Sequence, residues 1–200
     1  MKHWIVGSIV VFSVAVAGSA RAQEKPVPGT VEVSIIPGGA TWVNSKGTDP
    51  KFHNYDAGGA LAYNFTPILG VEAEVTGSFG LSQSLGRFIA TDEKTPNMLN
   101  YTGNVVVNWP GHSFVPYGTG GIGGNTLYGR EVLGIFNTET FFTSNFGGGV
   151  KWYAPNGRWG LRGDYRFQVV KSKDSAPDFF GQDNRYSNRI YGAVLINVVK

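Results

Sequence analysis

The stretch "LGVEAEVTGSFGL", residues 69–81, alternates without a break. Leu69, Val71, Ala73, Val75, Gly77, Phe79 and Leu81 share one side; Gly70, Glu72, Glu74, Thr76, Ser78 and Gly80 share the other. A period of two belongs to a β-strand with one apolar and one polar face. The run exceeds the roughly five or six residues usual in soluble sheets and suits a tilted strand of about 9–11 residues crossing a bilayer. Two arrangements are open. Either the apolar face turns inward on a core, or it turns outward on lipid around a polar interior.

The same pattern recurs. Eight strand-like segments are expected: Thr30–Trp42, Tyr55–Phe65, Leu69–Leu81, Leu99–Trp109, Val115–Leu127, Glu139–Tyr153, Trp159–Val170 and Ser187–Val199. The gaps between them alternate. Residues 43–54, 82–98, 128–138 and 171–186 are long and polar, whereas "TPI", "PGHSF" and "APNGR" are short. That rhythm fits an eight-stranded antiparallel up-and-down transmembrane β-barrel, with short periplasmic turns and longer outer loops. The 29 glycines favour strands with tight turns, and the 16% of charged residues falls below the roughly 25% of ordinary soluble domains.

The polar faces carry Glu32, Glu72, Glu74 and Asp164 with Lys151, Arg162, Arg166 and Arg189. They are expected to form a lumenal charge network, because eight strands enclose only enough room for packed side chains. Arg162 is expected to pair with Glu72 or Asp164, the register being open. Aromatic residues fall near strand ends. Phe65, Trp109, Tyr117, Trp152 and Trp159, with Tyr153, cluster by the short turns; Trp42, Tyr55, Tyr101, Phe142 and Phe167 fall nearer the long loops. Two interfacial girdles are expected from them. The glycine-rich fifth segment gives no clear orientation, and Pro37-Gly38-Gly39 predicts a bulge in the first.

The N-terminus, "MKHWIVGSIVVFSVAVAGSARAQE", reads as a secretory signal peptide of residues 1–22, with Ala20-Arg21-Ala22 as the cleavage pattern and Gln23 as the new terminus. Its removal takes away Lys2 and Arg21 but no acid, so the formal charge falls from +3 to +1. Without a clustered basic patch, nucleic acid is not an expected partner. The chain has no cysteine, so an exported fold must rest on hydrogen bonding and packing. Residues 23–29 are a lead-in, and 30–200 the barrel domain.

"GGALAYNFTPILGVEAEV", "VPYGTGGIGG" and "FGGGVKWYAPNGRWGLRGDYRF" resemble the outer membrane protein beta-barrel family, the OmpA/OmpX-like small barrels, over nearly all of residues 30–199. The resemblance implies an eight-stranded barrel in a Gram-negative-type outer membrane, with outer-membrane lipid, lipopolysaccharide and the barrel-assembly machinery as partners. It does not imply one activity, because the fold hosts several. The chain departs from the family in ending Asn197-Val198-Val199-Lys200 rather than in an aromatic residue. No further domain, such as a peptidoglycan-binding module, is expected after the barrel.

No catalytic, cofactor or metal site is expected. His53 has Asp56 as its nearest acid in sequence, while His112-Ser113 is only a neighbouring pair. "GTGGIGG" lacks the Lys-Ser/Thr of a phosphate loop. Glu72 and Glu74 are better explained by charge pairing than by glycoside hydrolysis. The long loops, including "DEKTPN", "KSKDSAPDFFGQDNR" and its Phe179-Phe180 pair, are the expected surface for an unknown ligand. The expected role is structural or surface-interacting and non-enzymatic. The alternatives are a secreted soluble ligand binder of lipocalin type, apolar faces inward, and a lipid-modifying barrel enzyme using His53.

Overall fold

A computed structural model describes residues 25–44, 51–84, 92–129, 137–172 and 184–198. The expected signal peptide and Phe179-Phe180 lie outside the described residues. The strands are β1 (Thr30–Val43), β2 (Phe52–Asn64), β3 (Leu69–Gly80), β4 (Ser82–Gln83), β5 (Glu93–Lys94), β6 (Met98–Asn108), β7 (Phe114–Leu127), β8 (Glu139–Tyr153), β9 (Trp159–Val170) and β10 (Arg185–Val198). Eight of them close into an antiparallel barrel in the order β1-β10-β9-β8-β7-β6-β3-β2. β1 pairs with β10, as Val31↔Val198 to Val43↔Ser187, so no edge is left open. β4 and β5 pair only with each other, inside a gap expected to be loop.

The apolar faces point outward. Val75 is 52% exposed and Ile122 60%, whereas Glu72 is 3% exposed and Arg166 0%. A soluble ligand binder of lipocalin type would bury the first pair and wet the second, so that arrangement is overturned. Exposed apolar side chains on every wall form a belt far larger than the patches soluble monomers carry. Only a hydrocarbon surrounding suits it, and in hydrocarbon every backbone polar group needs a protein partner.

The first strand has to meet that demand at a break. The β1–β10 ladder shifts between Ile35 and Gly38, and the β1–β2 ladder between Ile36 and Gly39. Pro37 therefore falls outside both registers. Its carbonyl is not orphaned, because the Tyr55 hydroxyl on the outer surface donates to it. Tyr55→Phe is expected to lower stability by about 1–3 kcal/mol, the desolvation cost of one unsatisfied acceptor. Reversible urea unfolding in lipid vesicles measures it; an unchanged midpoint would show that the bulge carbonyl finds another donor.

The short connections 65–68, 109–113 and 154–158 all lie at one end. At the other end, Val43, Phe52, Met98, Leu127, Phe141 and Val170 point inward and are buried, forming an apolar layer across the bore. Above it, Thr95-Pro96-Asn97 folds over the mouth. The Thr95 hydroxyl donates to Asn54 Oδ1 (2.6 Å), Asn54 Nδ2 donates to the Pro96 carbonyl (2.8 Å), and Asn97 Oδ1 accepts from the Gly80 N–H (2.9 Å). A Cβ at Gly80 would sit 1.7 Å from the Thr95 carbonyl oxygen, so this close approach requires glycine.

Candidate functional site

The polar faces of the closed barrel meet in its lumen. Among the described residues, the buried charged side chains are the acids Glu32, Asp56, Glu72, Glu74 and Asp164 and the bases Lys151, Arg162, Arg166, Arg185 and Arg189. Strand alternation aims each of them inward, and the ring order decides which can meet. β9 and β3 lie on opposite walls, four places apart in either direction. Long arginines on β9 can therefore reach short-stemmed carboxylates on β3 across the bore.

They do. Arg162 pairs through Nη1 with Glu72 and through Nη2 with Asp164 (2.6 Å). It takes both of the partners between which sequence left the choice open. Arg166 Nη2 stands 2.7 Å from Glu72 Oε1 and 3.3 Å from Glu74 Oε2, while its Nε holds Asp164 Oδ1 at 3.0 Å. Arg189 pairs with Glu74, whose other oxygen accepts from the Tyr191 hydroxyl at 2.7 Å. Every carboxylate in this central layer thus faces more than one cationic or hydroxyl donor. That matters because an ion buried away from water costs several kcal/mol unless its geometry and remaining hydrogen bonds are good.

A second, smaller group lies toward the short-turn end. Lys151 Nζ stands 2.6 Å from Glu32 Oε2, and the Tyr153 hydroxyl donates to Glu32 Oε1 at 2.5 Å. Toward the long-connection end, Asp56 accepts from the hydroxyls of Thr41 (2.7 Å) and Ser78 (2.6 Å). Asparagines link the levels. Asn145 donates to Asn104 (3.0 Å), Asn104 to Glu72 (3.3 Å), and Asn125 to Asn100 (2.6 Å). Arg185 donates to the Asn44 carbonyl at 3.0 Å.

The aromatic residues divide. Phe65, Trp109 and Trp159 are exposed on the outer surface near the short turns, and Trp152 packs edge-on against Trp159 with ring centroids 5.5 Å apart. Tyr117 does not belong with them. It is 3% exposed, its hydroxyl donates to Asp164, and Arg162 Nε donates to that hydroxyl at 2.6 Å. Tyr153, also expected in the girdle, is buried in the lumen with Glu32. The physical reason is alternation. Tyr153 shares its face with Lys151, and Tyr117 shares its face with Asn125.

Sequence reading also missed Asp56 as a lumenal group, placing it beside His53. The two residues sit on opposite sides of β2, His53 outward and Asp56 inward. They therefore form no dyad. His53 is instead held by its backbone, its N–H donating to Gln83 Oε1 (3.0 Å) and its carbonyl accepting from Gln83 Nε2 (2.6 Å). Among the described residues no three His, Cys, Asp or Glu side chains converge as a metal site would require.

Such a lumen, crossed by ion pairs and closed by an apolar layer at the long-connection end, is suited to excluding water and solutes rather than to conducting them. Known barrels share the shape. Neisserial surface protein A aligns with a TM-score of 0.58 at 13% identity, over 84% of this chain and 95% of that one. Ail of Yersinia pestis, in complex with the heparin analogue sucrose octasulfate, aligns at 0.55 with 15% identity, over 86% and 100%. OprG of Pseudomonas aeruginosa aligns at 0.54 with 13% identity, over 87% and 98%. At such identities the likeness is one of fold. A search of curated protein sequences finds no match. The family profile described as "Outer membrane protein beta-barrel domain" matches residues 8–195. A match over nearly the whole length, on a closed eight-stranded barrel with an apolar exterior, makes this chain a member of the outer membrane protein beta-barrel family.

Proposed function

We propose that the protein is a non-enzymatic barrel of the outer membrane, a filled scaffold with a structural or surface-interaction role. The single observation that carries this reading is the span of Arg162 and Arg166 from β9 to Glu72 on the opposite wall, which occupies the bore at mid-height. In this reading the chain is exported on a cleaved leader of residues 1–22. The short connections face the periplasm and the long ones face outward, where they meet lipopolysaccharide or an unidentified surface ligand. The belt of outward apolar residues meets lipid, and the barrel-assembly machinery inserts the chain. The eightfold ring supports the reading too, since a barrel of this size has room for side chains and none for an aqueous channel.

In planar bilayers, pure folded monomer is expected to give no steady conductance. Stepwise currents of porin size from that preparation would overturn the filled-lumen reading and the scaffold function with it.

A further inference from the structure

The five residues ahead of β1 do more than lead into the barrel. Lys25 forms an antiparallel bridge with Gly111, its N–H donating to the Gly111 carbonyl at 2.8 Å and its carbonyl accepting from the Gly111 N–H at 3.2 Å. Gly111 lies in the connection between β6 and β7, and β7 stands four places from β1 in either direction around the ring. The segment therefore runs from one wall to the opposite wall, across the short-turn mouth. Fully extended, five residues reach at most about 17 Å; this segment is shortened by a turn at Pro28–Gly29, closed by the Thr30 N–H donating to the Val27 carbonyl at 3.3 Å. Pro26, next to Lys25, is buried, Val27 is half-buried, and Pro28 and Gly29 are exposed.

Beneath this crossing, Val115 and Leu195 are 0% exposed and Tyr153 1%. Val115 is the second residue of β7 and Tyr153 the last of β8, so all of this burial lies at the rim, where an open mouth would leave side chains wet. At its near end the segment is tied to the wall. Gly29 N–H donates to the Asn64 carbonyl (2.7 Å), and the Thr30 hydroxyl donates to the Val27 carbonyl (2.6 Å). Gly29 has a φ of +75° with nothing within 4 Å of a Cβ built there. Conformation rather than crowding calls for glycine at that point.

We propose that Lys25–Gly29 is a lid hinged at Gly29 and latched at Gly111, which closes the short-turn mouth and swings open to admit small water-borne solutes as far as the Glu32–Lys151–Tyr153 group. Opening leaves the central Arg162–Glu72 crossing intact, so it grants access without conduction.

Two measurements test it. In the unaltered chain, amide exchange by NMR is expected to show the Lys25 and Gly111 N–H groups exchanging at a common rate, at least tenfold faster than the Tyr153 N–H. That last group is bonded to the Ser113 carbonyl at 2.8 Å, where the β6–β7 connection enters β7. Exchange of Gly111 as slow as that of Tyr153 would make the segment a fixed part of the wall and overturn the lid. The second measurement places a thiol under the lid with Val115→Cys. A water-soluble thiol reagent is expected to label it at least tenfold faster when residues 25–28 are deleted, and also faster with Lys25→Pro, which removes one latch donor. Heat-dependent gel mobility checks in each case that the barrel is closed. Equal labelling rates with and without the segment would overturn the proposal.

Discussion

Arg162→Ala is expected to destabilise the folded barrel by about 3–5 kcal/mol, the usual cost of removing one partner from a buried ion pair. Arg162 serves Glu72, Asp164 and Tyr117 at once. Its loss leaves two carboxylates sharing Arg166 in a space that water cannot easily refill. Adding Glu72→Gln removes one of the stranded charges and is expected to restore part of the loss, with a coupling of about 0.5–3 kcal/mol. Reversible urea unfolding of wild type, both single variants and the double variant in lipid vesicles gives the cycle. Strictly additive losses would mean that the two residues do not act as a pair, whatever their distance.

Val75→Arg tests the outside of the same wall. Val75 lies mid-strand in β3, exposed on the apolar surface, one residue from the inward Glu74. An arginine there is expected to cost about 2–4 kcal/mol if mid-height faces the hydrocarbon. Lys171→Glu, at an exposed position just beyond β9, is expected to stay within about 0.5 kcal/mol of wild type. The same unfolding measurement reads both. Similar stability for the two variants would mean that the Val75 face meets water.

These two expectations rest on features of unequal visibility in the sequence. Which residues face in and which face out was readable along β3 and β9, where charged and apolar residues alternate without a glycine run to blur them. The limits of β8 and β9 were equally readable, because Glu139–Tyr153 and Trp159–Val170 are bounded by polar or turn-forming residues. β2 begins three residues earlier than Tyr55, since Phe52 belongs to the inward apolar layer and the backbone of His53 is held by Gln83. β10 starts at Arg185 rather than Ser187. In β7, glycine at so many positions gives neither face a signature, and Tyr117 was assigned by proximity to a turn instead of by its parity with Asn125. Partners across the bore were legible only as candidates, Glu72 or Asp164 for Arg162, because the register was open. That Glu72 meets Arg162 and Arg166 follows from ring closure, which brings together strands about ninety residues apart through no local pattern.

The lumenal ions also carry an instruction for assembly. Among the described residues, ordered along the chain, four of the five buried acids, Glu32, Asp56, Glu72 and Glu74, come from the first three strands; all five buried bases, with Asp164, come from the last three. The two ends of the polypeptide are thus oppositely charged on the surfaces that must finally face each other. Early strands of one copy would find like charge in the early strands of another and opposite charge in their own late strands. Juxtaposed like charges disfavour wrong partners, while opposite ones fix register. The interior that fills the finished barrel therefore also disfavours pairing between like segments of neighbouring chains while the wall is still open.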